Sequence, residues 1–145
     1  MKESLKLIFP AKWESLQIAE DLFSTISKNI TTDSRTAYHV RTVLSEGFSN
    51  AYLYGNSNLP EAIIIVEMCF NSKTFTANII NDGRGFADNN IKWNEFPSGD
   101  DESGRGLKII KQLCDKLEYK RIGDNRFGIF VEIKLQKEEE KQELI

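Results

Sequence analysis

Hydrophobic positions along this chain fall into two periods, and the switches between them outline its elements. From Ser4 to Phe9 the apolar residues alternate, with Leu5, Leu7 and Phe9 on one side, which predicts a strand closed by Pro10. From Trp13 to Ile30 they recur at Trp13, Leu16, Ala19, Leu22, Phe23 and Ile26, the spacing of an amphipathic helix that ends near Asn29. Thr31-Thr32-Asp33-Ser34 supplies N-cap side chains for a second helix. That helix carries Ala37, Val40, Val43, Leu44, Phe48, Ala51 and Tyr52 toward a core and stops at the turn signal Gly55-Asn56. Ala62 to Phe70 and Phe75 to Ile80 are rich in β-branched residues, and Asn71-Ser72-Lys73 between them predicts a hairpin. Helical spacing returns at Leu107, Ile110, Leu113, Cys114 and Leu117. Leu117 to Arg121 and Phe127 to Leu135 predict a closing strand pair around Gly123-Asp124-Asn125.

The order strand, helix, helix, strand, strand, helix, strand, strand predicts an α+β fold. It is a two-layer sandwich with the helices packed on one face of a mostly antiparallel sheet. The 145 residues suffice for one domain with one core, over 1–136, and the charged stretch 137–145 reads as a frayed tail. Asp88 to Ser103 is polar and acidic and carries no core pattern. A loop of that length is functional or disordered, and its composition suits a mobile lid.

Composition excludes several function classes. A hydrophobic fraction of 40% with 28% charged residues is that of an ordinary soluble globular protein. A net charge of -3 argues against direct binding of nucleic acid, which calls for a strongly basic face. The longest apolar run, Ala62 to Val66, is far too short to span a bilayer, and the N-terminus lacks the apolar stretch of a signal peptide. The expected location is therefore the cytoplasm. Cys69 and Cys114 lie in apolar patterns and read as two buried, reduced thiols. His39, the one histidine, sits on an amphipathic helix and is assigned no role.

The chemistry sits in three segments. The first is Glu46-Gly47-Phe48-Ser49-Asn50-Ala51 on the second helix. Glu46 and Asn50, four apart, project from one helix face, where a carboxylate can take a proton and an amide oxygen can help hold a hard cation such as Mg²⁺. A solvated helix face is the alternative for such a pair. The second segment is Asn81-Asp82-Gly83-Arg84-Gly85-Phe86, after a strand, where glycine permits a positive-φ turn or a close backbone approach. A plain strand-to-loop turn would use the same residues. The third is Ser103-Gly104-Arg105-Gly106-Leu107, opening a helix. A helix N-terminus offers free N–H groups to phosphate, and Arg105 adds a fork of donors. It is neither a P-loop nor a Rossmann fingerprint, since the Gly-Lys-Ser/Thr ending and a directly preceding strand are both lacking.

The order and spacing of the three segments resemble the GHKL superfamily, which has the Bergerat ATP-binding fold. The first looks like its N box, Asn81 to Gly85 like its G1 box and Gly104 to Leu107 like its G2 box. Within that group the Glu-x-x-x-Asn-Ala pattern, the short lid, the small size and Ser-Gly-Arg-Gly-Leu-Lys-Ile-Ile most resemble the anti-sigma factor serine/threonine kinases. The resemblance implies ATP and Mg²⁺ as cofactors, with Glu46 as general base and Asn50 on the metal. It implies Asn81, Gly83 and Gly85 around the adenine, and Gly104, Arg105 and Gly106 along the phosphates. It implies phosphorylation of a serine on an anti-anti-sigma protein, sequestration of a sigma factor, and a homodimer through the first strand. Two positions depart from the family pattern. Asn81 replaces an aspartate that accepts a hydrogen bond from the adenine amino group, and Ile129 follows Gly128 where a threonine is usual. The alternative reading is a degenerate Bergerat-fold binding module for partner switching, with weak or no nucleotide binding.

Overall fold

A computed structural model describes residues 2–55, 61–83 and 102–135, the side chains of 102–105 excepted. Its elements are β1 (Glu3–Pro10), α1 (Trp13–Ile30), α2 (Ser34–Tyr54), β2 (Ile63–Phe70), β3 (Thr74–Asp82), α3 (Glu102–Leu113), β4 (Lys116–Ile122) and β5 (Arg126–Lys134). The strands form one five-stranded sheet in the order β1-β2-β3-β5-β4. Every pairing is antiparallel. The fold is thus the α+β sandwich that the periodicity predicts, with a fully rather than mostly antiparallel sheet.

Register assigns the two faces. Leu7, Val66, Ile79, Ile129 and Tyr119 form one cross-strand row, and Leu5, Met68, Ala77, Val131 and Leu117 the next. Most of these side chains enter a single core with Val40, Val43, Leu44, Phe48, Leu107 and Ile110 from the helices. Ile129, in place of the family's threonine, is part of that core. Phe9, Phe23 and Phe48 meet edge to face, with centroids 4.9 to 6.5 Å apart, and lock β1, α1 and α2 together. Gly47 lets α2 lie directly on β3, since a β-carbon there would collide with Ile79 Cδ1.

The punctuation is largely as the sequence implies. Asp33 is the cap of α2, accepting from Thr36 N–H at 3.2 Å. Asn71 Oδ1 closes the β2–β3 hairpin by accepting from the N–H groups of Lys73 and Thr74. Gly123, at φ 68°, turns β4 into β5. Two boundaries and one burial differ. Helix α3 ends at Leu113, because Leu117 belongs to β4 and pairs with Val131. It also begins at Glu102, so it absorbs the last two residues of the predicted lid, and 88–101 lie outside the described residues. Trp13 is 72% exposed despite its place in the helical pattern. The thiols differ too. Cys69 and Cys114 are half-buried rather than buried, and burial pushes the Cys114 thiol up to about 11. The predicted tail, 137–145, lies outside the described residues.

Candidate functional site

The site is strung along α2. At one end Glu46 and Asn50 face Gly106 of α3. A β-carbon at Gly106 would stand 2.8 Å from Glu46 Oε2, 3.4 Å from Asn50 Nδ2 and 3.8 Å from Asn50 Oδ1. Glu46 and Asn50 thus pack directly against the glycine backbone, and a side chain there would displace the carboxylate. Helix spacing explains the pairing of Glu46 with Asn50, and the packing of α3 across α2 brings the third segment to them.

Asn50 is 4% exposed, and its Nδ2 has no hydrogen-bond partner among the described residues. Leaving a buried amide donor unpaired costs about 1–3 kcal/mol. A fold retains such an orphan where a ligand supplies the missing acceptor. Glu46 is half-buried. Its carboxyl is held above the ordinary 4.5, chiefly by burial and further by the nearby charge of Glu20. A carboxylate shifted this way is a better proton acceptor than a solvated one.

At the other end α2 closes over Asn81. Gly55 ends the helix by donating its N–H to Ala51 O, and a β-carbon on it would fall 2.6 Å from Asn81 Nδ2. Asn81 is 2% exposed and donates from Nδ2 to the carbonyl of Asp82 at 3.0 Å. Its position on β3 puts it on the helix face of the sheet, in register with Ile64 and Phe127. Asp82 belongs to the opposite face. Its Oδ2 accepts from Ile63 N–H at 3.0 Å and its Oδ1 from Arg126 Nε at 2.9 Å. The aspartate next in line therefore cannot stand in for the one that Asn81 replaces. Gly83 has φ 115°, which a side chain rarely adopts, and its N–H donates to Asn125 O at 2.7 Å. The positive φ that glycine was expected to supply after this strand is present.

Among the expected site residues, the structure thus joins Glu46, Asn50 and Gly106, and places Asn81 and Gly83 together at the far end of α2. Gly104 and Arg105 lie in the first turns of α3, where N–H groups lack helical partners. Gly85 lies outside the described residues. Sequence reasoning missed two members. Gly55 reads as a simple helix stop, yet its lack of a side chain is what admits Asn81. Ser45, next to Glu46, has a buried hydroxyl with no partner among the described residues, and no sequence signal marks it.

From Glu46 to Gly55 the helix rises about 14 Å at 1.5 Å per residue. One end offers a carboxylate, an orphan amide and helix N–H groups, and the other a buried carboxamide. An elongated ligand, anionic at one end and a flat hydrogen-bonding group at the other, matches that polarity. A nucleoside triphosphate with a divalent cation has that polarity, and Asn50 offers an amide oxygen together with a donor unpaired among the described residues. Among the described residues no group of three or more His, Cys, Asp and Glu could hold a metal ion. A cation here would rest on Asn50 and the phosphates themselves.

This sandwich, with Gly106 of α3 packed against Glu46 and Asn50 of α2, has the layout of the histidine kinase-like ATPase folds. Residues 9–132 match the family model described as the histidine kinase-like ATPase domain. The chain belongs to that family. No curated protein matches the chain. Solved structures that share its fold include the following two. The histidine kinase domain of the Erythrobacter litoralis EL346 blue-light activated histidine kinase is 16% identical, with a TM-score of 0.58 over 88% of this chain. This chain covers 62% of that one. A chain from the SiaB–SiaC complex of Pseudomonas aeruginosa is 14% identical, with a TM-score of 0.56 over 90% of this chain and 89% of that one. Among the described residues no helix is long and apolar enough to cross a membrane.

Proposed function

We propose that this protein is an anti-sigma regulatory factor. It binds ATP with Mg²⁺, phosphorylates a serine on an anti-anti-sigma protein in the cytoplasm, and sequesters a sigma factor. The observation that carries the reading is the meeting of Glu46, Asn50 and Gly106 at one place, with the buried Asn50 Nδ2 unpaired among the described residues. The family supports ATP as ligand. The SiaB–SiaC structure, a two-protein complex, supports a protein as partner.

In this reading the serine hydroxyl attacks the γ-phosphorus of ATP, its proton passes to Glu46, and the bond to the β-phosphate oxygen breaks to release ADP. Glu46 orients the hydroxyl and accepts that proton. Asn50 would help hold the cation with its amide oxygen, and its amide N–H is available to donate to the ligand. Gly104, Arg105 and Gly106 line the phosphates, while Asn81, Gly83 and Gly85 shape the adenine end. Mg²⁺, when bound, neutralises charge that develops on the phosphates.

The first strand supports a homodimer. It is an edge strand, and Leu5, Ile8, Trp13, Ile18 and Leu22 on β1 and α1 are exposed.

One observation favours the second reading, a partner-switching binding module with weak nucleotide affinity. Asn81 is neutral, and with its Nδ2 bonded to the Asp82 carbonyl it has only an uncharged Oδ1 to accept from adenine where the family has a carboxylate. The two readings separate in a transfer assay with radiolabelled ATP and purified anti-anti-sigma proteins. The kinase reading expects label on a serine, and a loss of about 10²–10⁴-fold in Glu46→Gln. No transfer by the wild type, or full transfer by Glu46→Gln, would overturn it.

A further inference from the structure

Glu46 borders a second space that the nucleotide reading does not use. On the side away from the sheet, Glu46 lines a groove of about 250 Å³ together with Glu20 from α1 and Tyr38, Arg41, Thr42, Ser45 and Ser49 from α2. From Tyr38 to Glu46 the groove follows α2 for about 12 Å at 1.5 Å per residue, the length of roughly four residues of extended chain.

Three features mark the groove as built to receive something. Ser45 lines it, and its hydroxyl is one of two buried side-chain atoms without a hydrogen-bond partner among the described residues. The other is Asn50 Nδ2, so one orphan lies in the groove and the other faces Gly106, with Glu46 adjoining both. The one ion pair across the groove, Arg41 to Glu20, spans 3.6 Å between partners 46% and 44% exposed, and is readily exchanged. Tyr38, 60% exposed, presents an aromatic ring at the far end.

We propose that the groove between α1 and α2 is the acceptor channel: an extended, hydroxyl-bearing segment of the protein substrate lies in it, and Tyr38, Arg41 and Thr42 select that segment. The inference rests on the kinase reading above. The acceptor hydroxyl arrives at Glu46 from the groove while phosphate reaches it from the Gly106 side. The hydroxyls of Thr42 and Ser49 serve the segment's backbone, since each can donate or accept. Two carboxylates, Glu20 and Glu46, stand against the single guanidinium of Arg41, so the preferred segment is neutral or basic beside its hydroxyl.

The test uses the whole chain, labelled ATP and a panel of purified anti-anti-sigma proteins as probes. Thr42→Phe plugs the groove one turn before Glu46, and Tyr38→Ala trims its exposed end without touching the core. Each is expected to raise KM for the phosphorylated probe by about tenfold or more, with less than about threefold change in KM for ATP. Equal rises in both constants, or unchanged KM for the probe in Tyr38→Ala and Thr42→Phe alike, overturn the channel while leaving the kinase reading intact. If the wild type phosphorylates no probe, the kinase reading fails and the channel falls with it.

Discussion

Gly106 and Glu46 stand so close that a single β-carbon on the glycine would lie 2.8 Å from Glu46 Oε2. Helix propensity alone favours alanine over glycine at an interior helical position by about 1 kcal/mol. Gly106→Ala is therefore expected to leave the Tm unchanged or slightly raised. Phosphotransfer should nonetheless fall about 10–100-fold, because the carboxylate is displaced from its working position. Thermal unfolding and a transfer assay on the same preparation separate the two effects. Equal losses of stability and activity would mean that the glycine serves packing.

The raised Glu46 pKa has two consequences with opposite signs. As a base Glu46 must be ionised, so activity is lost as pH falls through its raised value, above the ordinary 4.5. Burial is the larger cause and Glu20 the smaller, so Glu20→Gln should move the acid limb of the rate profile to lower pH by removing the smaller one. For stability, the ionised form is the disfavoured one in the folded state. Its cost is nil below 4.5, where the group is protonated folded or unfolded, and is fully present above the raised value. Glu46→Gln should thus raise the Tm near neutral pH and lose that advantage in acid. A pH series of melts on both proteins checks it.

Asn81 presents a neutral carboxamide where the family has a carboxylate. Replacing a charged acceptor by a neutral one costs about 1–2 kcal/mol. Asn81→Asp is expected to tighten ATP by about 5–30-fold, at 1.4 kcal/mol per tenfold. Calorimetry on both forms measures the ratio. Equal affinities would place the adenine elsewhere.

Asp82 is a clamp on the sheet. Its carboxylate joins Ile63 N–H to the Arg126 guanidinium, across β2, β3 and β5. Hydrogen bonds to charged groups contribute about 1.5–3 kcal/mol, and Asp82→Ala should lower stability by about that much without weakening ATP at temperatures where the variant is folded. A large loss of nucleotide affinity with unchanged stability would contradict this assignment.

The fold was legible because its period changes are clean. Alternation on β1 and β3, and the 3.6-residue stripe of α1 and α2, each point to one element and one buried face. The N box was legible because helix spacing makes neighbours of Glu46 and Asn50 without tertiary information. The approach of Gly106 was not, since it depends on how α3 crosses α2. The orphaned Ser45 hydroxyl depends likewise on the packing of α1. Trp13 misled for a related reason. Its spacing is that of a core position, but the buried stripe of α1 runs through Ser15, Ala19, Phe23 and Ser27 and leaves Trp13 outside it. Gly55 has a sufficient local explanation as a helix stop, which conceals its contact with Asn81. Leu117 fits the helical period and is taken instead by pairing with Val131 on β5, a contact between residues distant in sequence.

The central claim is that the cleft between α2 and α3 holds ATP through Asn50 and a divalent cation. Calorimetric titration of the full chain with ATP, with and without Mg²⁺, tests it most directly. The account predicts saturable binding to the wild type that requires Mg²⁺ and that weakens in Asn50→Ala, while Glu46→Gln binds like the wild type. No binding at millimolar ATP by the wild type and by Asn81→Asp alike, or binding indifferent to both Mg²⁺ and Asn50, would contradict it.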